Sequence, residues 1–248
     1  MTEFRPGRFQ ILPLVIKNLI IINVLVFLAQ QAFQDNPNFS IEDTFALHTW
    51  QSPLFKPWQL VTHLFLHGSW DHILLNMFAL WMFGSVLENL WGPKRFLIFY
   101  IVSGMGAALC HMIVLYFENQ EMIHQFENVI SDAAAQNFFI KYPGSFTGET
   151  LTQVYIEHLN EPTLGASGAV FGCLAAFGYL FPNTYIYIYF FLPLKAKWFV
   201  LIYIAIELFS SIQNSAGDNV AHVAHLGGAL FGLLLVYFWN KNNRKTFY

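Results

Sequence analysis

The feature that most constrains this chain is its supply of long apolar stretches. Six run along the 248 residues, at about 14–33, 71–91, 95–117, 165–181, 197–213 and 219–239. A hydrocarbon layer of about 30 Å takes roughly 20 residues as a helix. The pattern predicts an all-α membrane protein, a bundle of six transmembrane helices forming one domain over residues 1–248. The fourth stretch is short and opens with Gly165-Ala166-Ser167-Gly168. Such a helix starts below the membrane surface, where irregular backbone survives only inside a bundle or beside a water-filled cavity.

Composition agrees. Hydrophobic residues make up 56% and charged residues 11% of the chain, against about 25% charged in soluble domains. A net charge of −3 gives no reason to expect nucleic-acid binding. Cys110 and Cys173, the two cysteines, lie inside apolar runs and read as buried hydrophobes. Arg5 and Arg8 precede the first apolar stretch, but Lys17 and Asn18 interrupt it and no small-residue cleavage site follows. An uncleaved first helix fits better than a signal peptide.

Basic residues orient the bundle by the positive-inside rule. Arg5, Arg8, Lys17, Lys94, Arg95, Lys195, Lys197, Lys241, Arg244 and Lys245 fall at the termini and even-numbered connections, and only Lys56 and Lys141 in the odd ones. Cytoplasmic termini follow, with segments 34–70, 118–164 and 214–218 outside. Met122, Ile123, Phe126, Val129 and Ile130 have roughly helical spacing, so part of the second outer segment reads as an amphipathic interfacial helix or as plain loop. The aromatic run Tyr185 to Phe191 is too short to span and reads as a β-rich interfacial segment on the inner face.

Polar groups inside a membrane are costly, and each is a functional candidate. Three clusters qualify. His63, His67, His72 and Asn76 lead into and along the second span, with His72 and Asn76 one turn apart on one face. Gly165 to Gly172 surrounds Ser167. His222 to Gly232 contains His222 and His225. Taken singly, Gly168-x3-Gly172 and Gly228-x3-Gly232 signify close helix packing, a serine bonds to its own backbone, and a histidine near a helix end sits at the wet interface. Together they describe a serine that a neighbouring imidazole could activate. Backbone amides at the start of the fourth helix, with His72 and Asn76, could stabilise an oxyanion.

The sequence resembles the rhomboid family of intramembrane serine proteases. Gly165–Gly168 is similar to its Gly-x-Ser-Gly motif. Ala224-His225-Leu226-Gly227-Gly228 is similar to its catalytic histidine motif, and His67…His72-x3-Asn76 to its second-helix motif. The resemblance implies a six-helix rhomboid-type bundle in which Ser167 is the nucleophile and His225 the base. His72, Asn76 and the Gly165 stretch would support the oxyanion. His222, one turn from His225, is the reserve base. The family uses a Ser-His dyad without an acidic third member; Asp218, two turns before His225, is the nearest acid considered.

The resemblance implies transmembrane or membrane-proximal protein substrates, a lipid bilayer as partner, and no cofactor or metal. It also implies residence in a bacterial cytoplasmic membrane, with the active site opening outward. Two departures stand out: Trp58-Gln59 replaces the family's frequent Trp-Arg, and Phe171 occupies a position that is often Tyr. The fifth span, with Trp198, Phe199, Tyr203 and Phe209 and no small-residue seam, is the expected entrance. A membrane metal protein using His63, His67, His72, His222 and His225 is the competing class, together with a catalytically inactive rhomboid-like binder of membrane helices.

Overall fold

The computed structural model describes residues 9–131, 156–188, 192–213 and 222–243. They form a mostly helical protein. Helix α1 is Leu14–Phe33, followed by the short α2 (Ile41–Phe45) and α3 (Gln59–Thr62). α4 (Trp70–Ala79) and α5 (Ser85–Trp91) are joined by a π turn, Leu80–Gly84. Then come α6 (Pro93–Ser131), α7 (Ser167–Leu180), α8 (Ala196–Gln213) and α9 (His222–Asn243). One antiparallel hairpin pairs β1 (Tyr185–Ile188) with β2 (Leu192–Lys195), Tyr185 opposite Lys195. It occupies the β-rich aromatic run; Tyr189 to Phe191 lie outside the described residues.

Among the described residues, four rods are long and apolar enough to cross a membrane: Leu14–Phe33, Trp70–Trp91, Pro93–Glu121 and His222–Lys241. The other two expected spans are helices as well, α7 with 14 residues and α8 with 18. At 1.5 Å per residue α7 is about 21 Å long, short of the hydrocarbon layer. It needs no such length, because Gly168 to Gly178 are all buried among α4, α5, α6, α8 and α9. Large apolar side chains face outward instead, among them Ile21 and Leu25 on α1, Leu201 and Phe209 on α8, and Leu234 on α9. Only lipid could cover so many.

One sequence boundary is corrected. α6 does not end near residue 117 but continues to Ser131. The polar residues from Glu118 mark departure from the apolar layer, whereas the helix goes on because neither Gly nor Pro interrupts residues 107–131. Met122 to Ile130 therefore belong to α6, while residues 132–155, Lys141 included, lie outside the described residues. The 34–70 segment carries the short helices α2 and α3.

A buried acid fastens the start of α1. Glu88 of α5 accepts hydrogen bonds from the Val15 and Ile16 amides, both 2.9 Å. These are first-turn amides of α1 with no intrahelical acceptor, so the carboxylate satisfies them and meets the positive end of the helix dipole.

Candidate active site

Ser167 opens α7, and a tied-down segment delivers it. Thr163 exchanges backbone hydrogen bonds with Leu47, 2.9 and 2.8 Å. His111 of α6 lies 3.0 Å from the Thr163 hydroxyl through Nε2. Ser52 donates to the Asn160 side chain at 2.6 Å, and the Gly165 amide donates to the His63 carbonyl at 3.0 Å. Gly165 then turns the chain with φ +130°, a conformation that favours glycine. The first helical bond runs from the Val170 amide to Ala166. The amides of Ser167, Gly168 and Ala169 precede it and have no acceptor within the helix.

His72 stands against this turn. A methyl group at Gly165 would lie 2.8 Å from His72 Nε2 and 3.6 Å from Ser167 Oγ, so all three meet in one corner. Ser69 caps α4 by accepting from the His72 amide, which fixes the residue in the first turn. The Gly68 amide donates to His72 Nδ1 at 3.5 Å. An acceptor at Nδ1 leaves the proton of a neutral imidazole on Nε2, the edge that faces Gly165. Asn76 is buried one turn farther along α4.

His225 approaches from α9. Gly168 and Gly228 bring the backbones of α7 and α9 into direct contact: a Cβ on Gly228 would collide with the Gly168 carbonyl oxygen, and one on Gly168 would stand 3.5 Å from the Ala224 carbonyl oxygen. The glycines next to Ser167 and after His225 thus form the seam. Phe171, one turn beyond Ser167, stacks on His225 with centroids 4.2 Å apart and planes 6° from parallel. The ring survives the family's Tyr-to-Phe departure, and so does the stack.

An acid joins them that the sequence reading had overlooked. Glu207 of α8 is buried, with Oε2 3.0 Å from His225 Nδ1 and 2.6 Å from His222 Nδ1. Both candidate histidines therefore share one carboxylate oxygen. Asp218, the acid weighed from sequence, lies outside the described residues. The missed signal was plain: Glu207 is the one acid within an otherwise apolar segment, where an ionisable group is a functional candidate by default. Donor atoms of Glu207, His222 and His225 lie within 4.8 Å of one another, a spacing open to a metal ion. The two Nδ1–Oε2 separations are hydrogen-bond distances.

The loop between α2 and α4 is organised by Gln59, where the family often has arginine. Its side-chain oxygen accepts from the Lys56 amide at 3.0 Å, and its amide donates to the Leu54 carbonyl at 3.0 Å. Fully buried, it holds the loop by neutral hydrogen bonds. Just beyond it His63 Nδ1 meets the Gln59 carbonyl at 2.7 Å. Burial lowers the His63 pKa to about 4 and that of His67 to about 3, with His72 adding to the second effect. Both rings are neutral near pH 7.

A rhomboid-domain family model matches residues 54–242, which takes in His72, Asn76, Ser167, Glu207 and His225, and the chain belongs to the rhomboid family. It is 27% identical over 222 residues to RHOMBOID-like protein 12, mitochondrial, of Arabidopsis thaliana, covering 87% of this chain and 55% of that protein. Rhomboid protein 1, mitochondrial, of Saccharomyces cerevisiae is 28% identical over 191 residues, 75% of this chain and 43% of the yeast protein. Rhomboid protease AarA of Providencia stuartii is 29% identical over 228 residues, 88% and 69% respectively. The chain thus spans about half the length of the first two. The apolar helices and the family make this an integral membrane protein. Relatives named for mitochondria give the expected bacterial inner membrane no support.

Proposed function

We propose that this chain is an intramembrane serine endopeptidase in which Ser167 attacks and His225 moves the proton. The observation that carries the reading is the meeting of three elements around the start of α7: Ser167 with its unpaired first-turn amides, the His72 edge at Gly165, and His225 stacked one turn on. Some relatives are named as proteases, which supports the reaction class.

The chemistry runs in two halves. His225 takes the Ser167 hydroxyl proton through Nε2 while Oγ bonds to the substrate carbonyl carbon. The carbonyl oxygen becomes an oxyanion, held by α7 amides, His72 Nε2–H and Asn76. The peptide C–N bond then breaks as His225 returns the proton to the departing amine, leaving an acyl group on Ser167. Water repeats the sequence and releases the acid.

The substrates on this reading are transmembrane or membrane-proximal protein segments, α7 and α8 complete a six-helix bundle with the four longer spans, the termini face the cytoplasmic side and the site opens to the opposite face. The basic-residue distribution supports that orientation. A fluorophosphonate probe and a transmembrane reporter in liposomes provide the test. Wild type is expected to label and cut, and Ser167→Ala and His225→Ala to do neither while remaining folded. Full cleavage by purified Ser167→Ala would refute the reading.

A further inference from the structure

α8 contributes one acid to the protein interior, and it is spent on two histidines of α9. A carboxylate only accepts, so the Nδ1 atoms of His222 and His225, 2.6 and 3.0 Å from Glu207 Oε2, are the donors. For neutral His225 this places the lone pair on Nε2, the nitrogen that a serine base needs. Phe171 fixes the plane of the ring, and the bond at Nδ1 fixes its rotation within that plane. Two restraints from two different helices then determine where Nε2 points.

Burying an acid among lipid-facing helices is unfavourable unless donors meet it. A simple tie between α8 and α9 would need only one histidine. The second donor, His222, lets the carboxylate stay oriented while His225 gains and loses its proton at Nε2. When His225 becomes imidazolium, the adjacent carboxylate stabilises the new charge at short range.

Resting on the serine-peptidase reading above, we propose that Glu207 is a positioning residue of this site: it holds the Nδ1–H tautomer of His225 and stabilises the imidazolium formed during acylation. The site is then a Ser167–His225–Glu207 set whose acid comes from α8, in place of the expected dyad. His222 is a second ligand of the carboxylate rather than an alternative base.

The test uses purified full-length protein in liposomes and four readouts: kcat, KM, the rate of fluorophosphonate labelling, and 15N shifts of the His225 imidazole. In wild type, Nδ1 should resonate as a protonated nitrogen and Nε2 as an unprotonated one. Glu207→Gln should lower kcat and the labelling rate by about 100-fold, with KM changed less than about threefold; the wrong tautomer costs about 10⁴ in soluble Ser-His-Asp enzymes. Glu207→Asp should recover most of that loss, because the acceptor is restored. His222→Ala should stay within about tenfold of wild type, since the carboxylate remains.

Wild-type kcat in Glu207→Gln, or a loss confined to KM, would overturn the proposal. So would a wild-type His225 carrying its proton on Nε2, a measurement independent of whether any variant folds. Activity abolished by a chelator and restored by zinc would assign the cluster to a metal and overturn it too. Failure of the underlying reading looks different: wild-type protein would not label, or Ser167→Ala would still cut.

Discussion

Phe171 and His225 lie face to face, 4.2 Å between ring centres and 6° from parallel, one turn along the helix that Ser167 begins. Such a stack is worth about 0.5–1.5 kcal/mol beyond area burial, and its main effect is to remove rotational freedom from the imidazole. Phe171→Ala should therefore lower kcat by about tenfold, which corresponds to about 1.4 kcal/mol, and leave KM nearly unchanged. Phe171→Tyr should cleave like wild type. Steady-state kinetics on a transmembrane reporter check both, and an unaffected kcat in Phe171→Ala would remove the stack from catalysis.

The two glycine contacts should fail in different ways. Gly228→Ala pushes a methyl into the Gly168 carbonyl oxygen, so α7 and α9 must separate. Overpacking of this kind costs about 1–3 kcal/mol, and both thermal stability and cleavage should drop. Gly165→Ala imposes strain at φ +130° and presses on His72 Nε2, but does so in a loop above the core. It should lose most activity with a smaller loss of melting temperature. Equal thermal losses in the two variants would contradict this division.

His72 and Asn76 are proposed to meet charge that exists only in the transition state. Alanine at either should reduce kcat by about 100-fold, the usual effect of removing one oxyanion donor, with KM nearly constant. Gly68 adds a finer expectation. Its amide fixes the His72 tautomer through Nδ1, so Gly68→Pro, which deletes that donor, should reproduce part of the His72→Ala loss. A defect limited to KM would move these residues to substrate docking.

The loop leading into α4 should weaken in acid. His63 and His67 titrate near 6.5 when unfolded, but at about 4 and about 3 in the folded protein. Because the folded pKa is depressed, the unfolded state binds protons first as pH falls. The stability contributed by the neutral rings is complete above pH 6.5 and is lost down to about pH 4 for His63 and about pH 3 for His67. In that window each group removes up to roughly 1.4 kcal/mol per pH unit. Melting temperature should fall steeply below pH 6.5 in wild type, and a His63→Phe/His67→Phe double variant should show a shallower slope. An unchanged slope would place the acid sensitivity elsewhere.

The sequence disclosed what is local or periodic. Apolar runs located the four long spans and the helices α7 and α8, and Gly165, Ser167, His72 and His225 could be singled out because each stands in a short polar interruption of such a run. Hydropathy located the end of the apolar layer near Glu118, but it could not show that α6 continues to Ser131, since helix and lipid have separate causes. Gln59 looked like a lost arginine because its role depends on carbonyls gathered from Leu54, Asp43 and Thr44. Glu207 escaped for a related reason. Its partner His225 is 18 residues away on another helix, and only packing reveals which apolar helix faces which histidine.

Glu207 also rides on the helix expected to admit substrate. An outward swing of α8 would carry its carboxylate away from His225 Nδ1, and the imidazole would lose its orienting acceptor while the door stood ajar. On the proposed reading the peptidase carries a safety interlock: a polypeptide entering past α8 meets a disarmed serine, and acylation begins when the helix closes behind it. Membrane helices that brush the opening without letting it shut would leave intact.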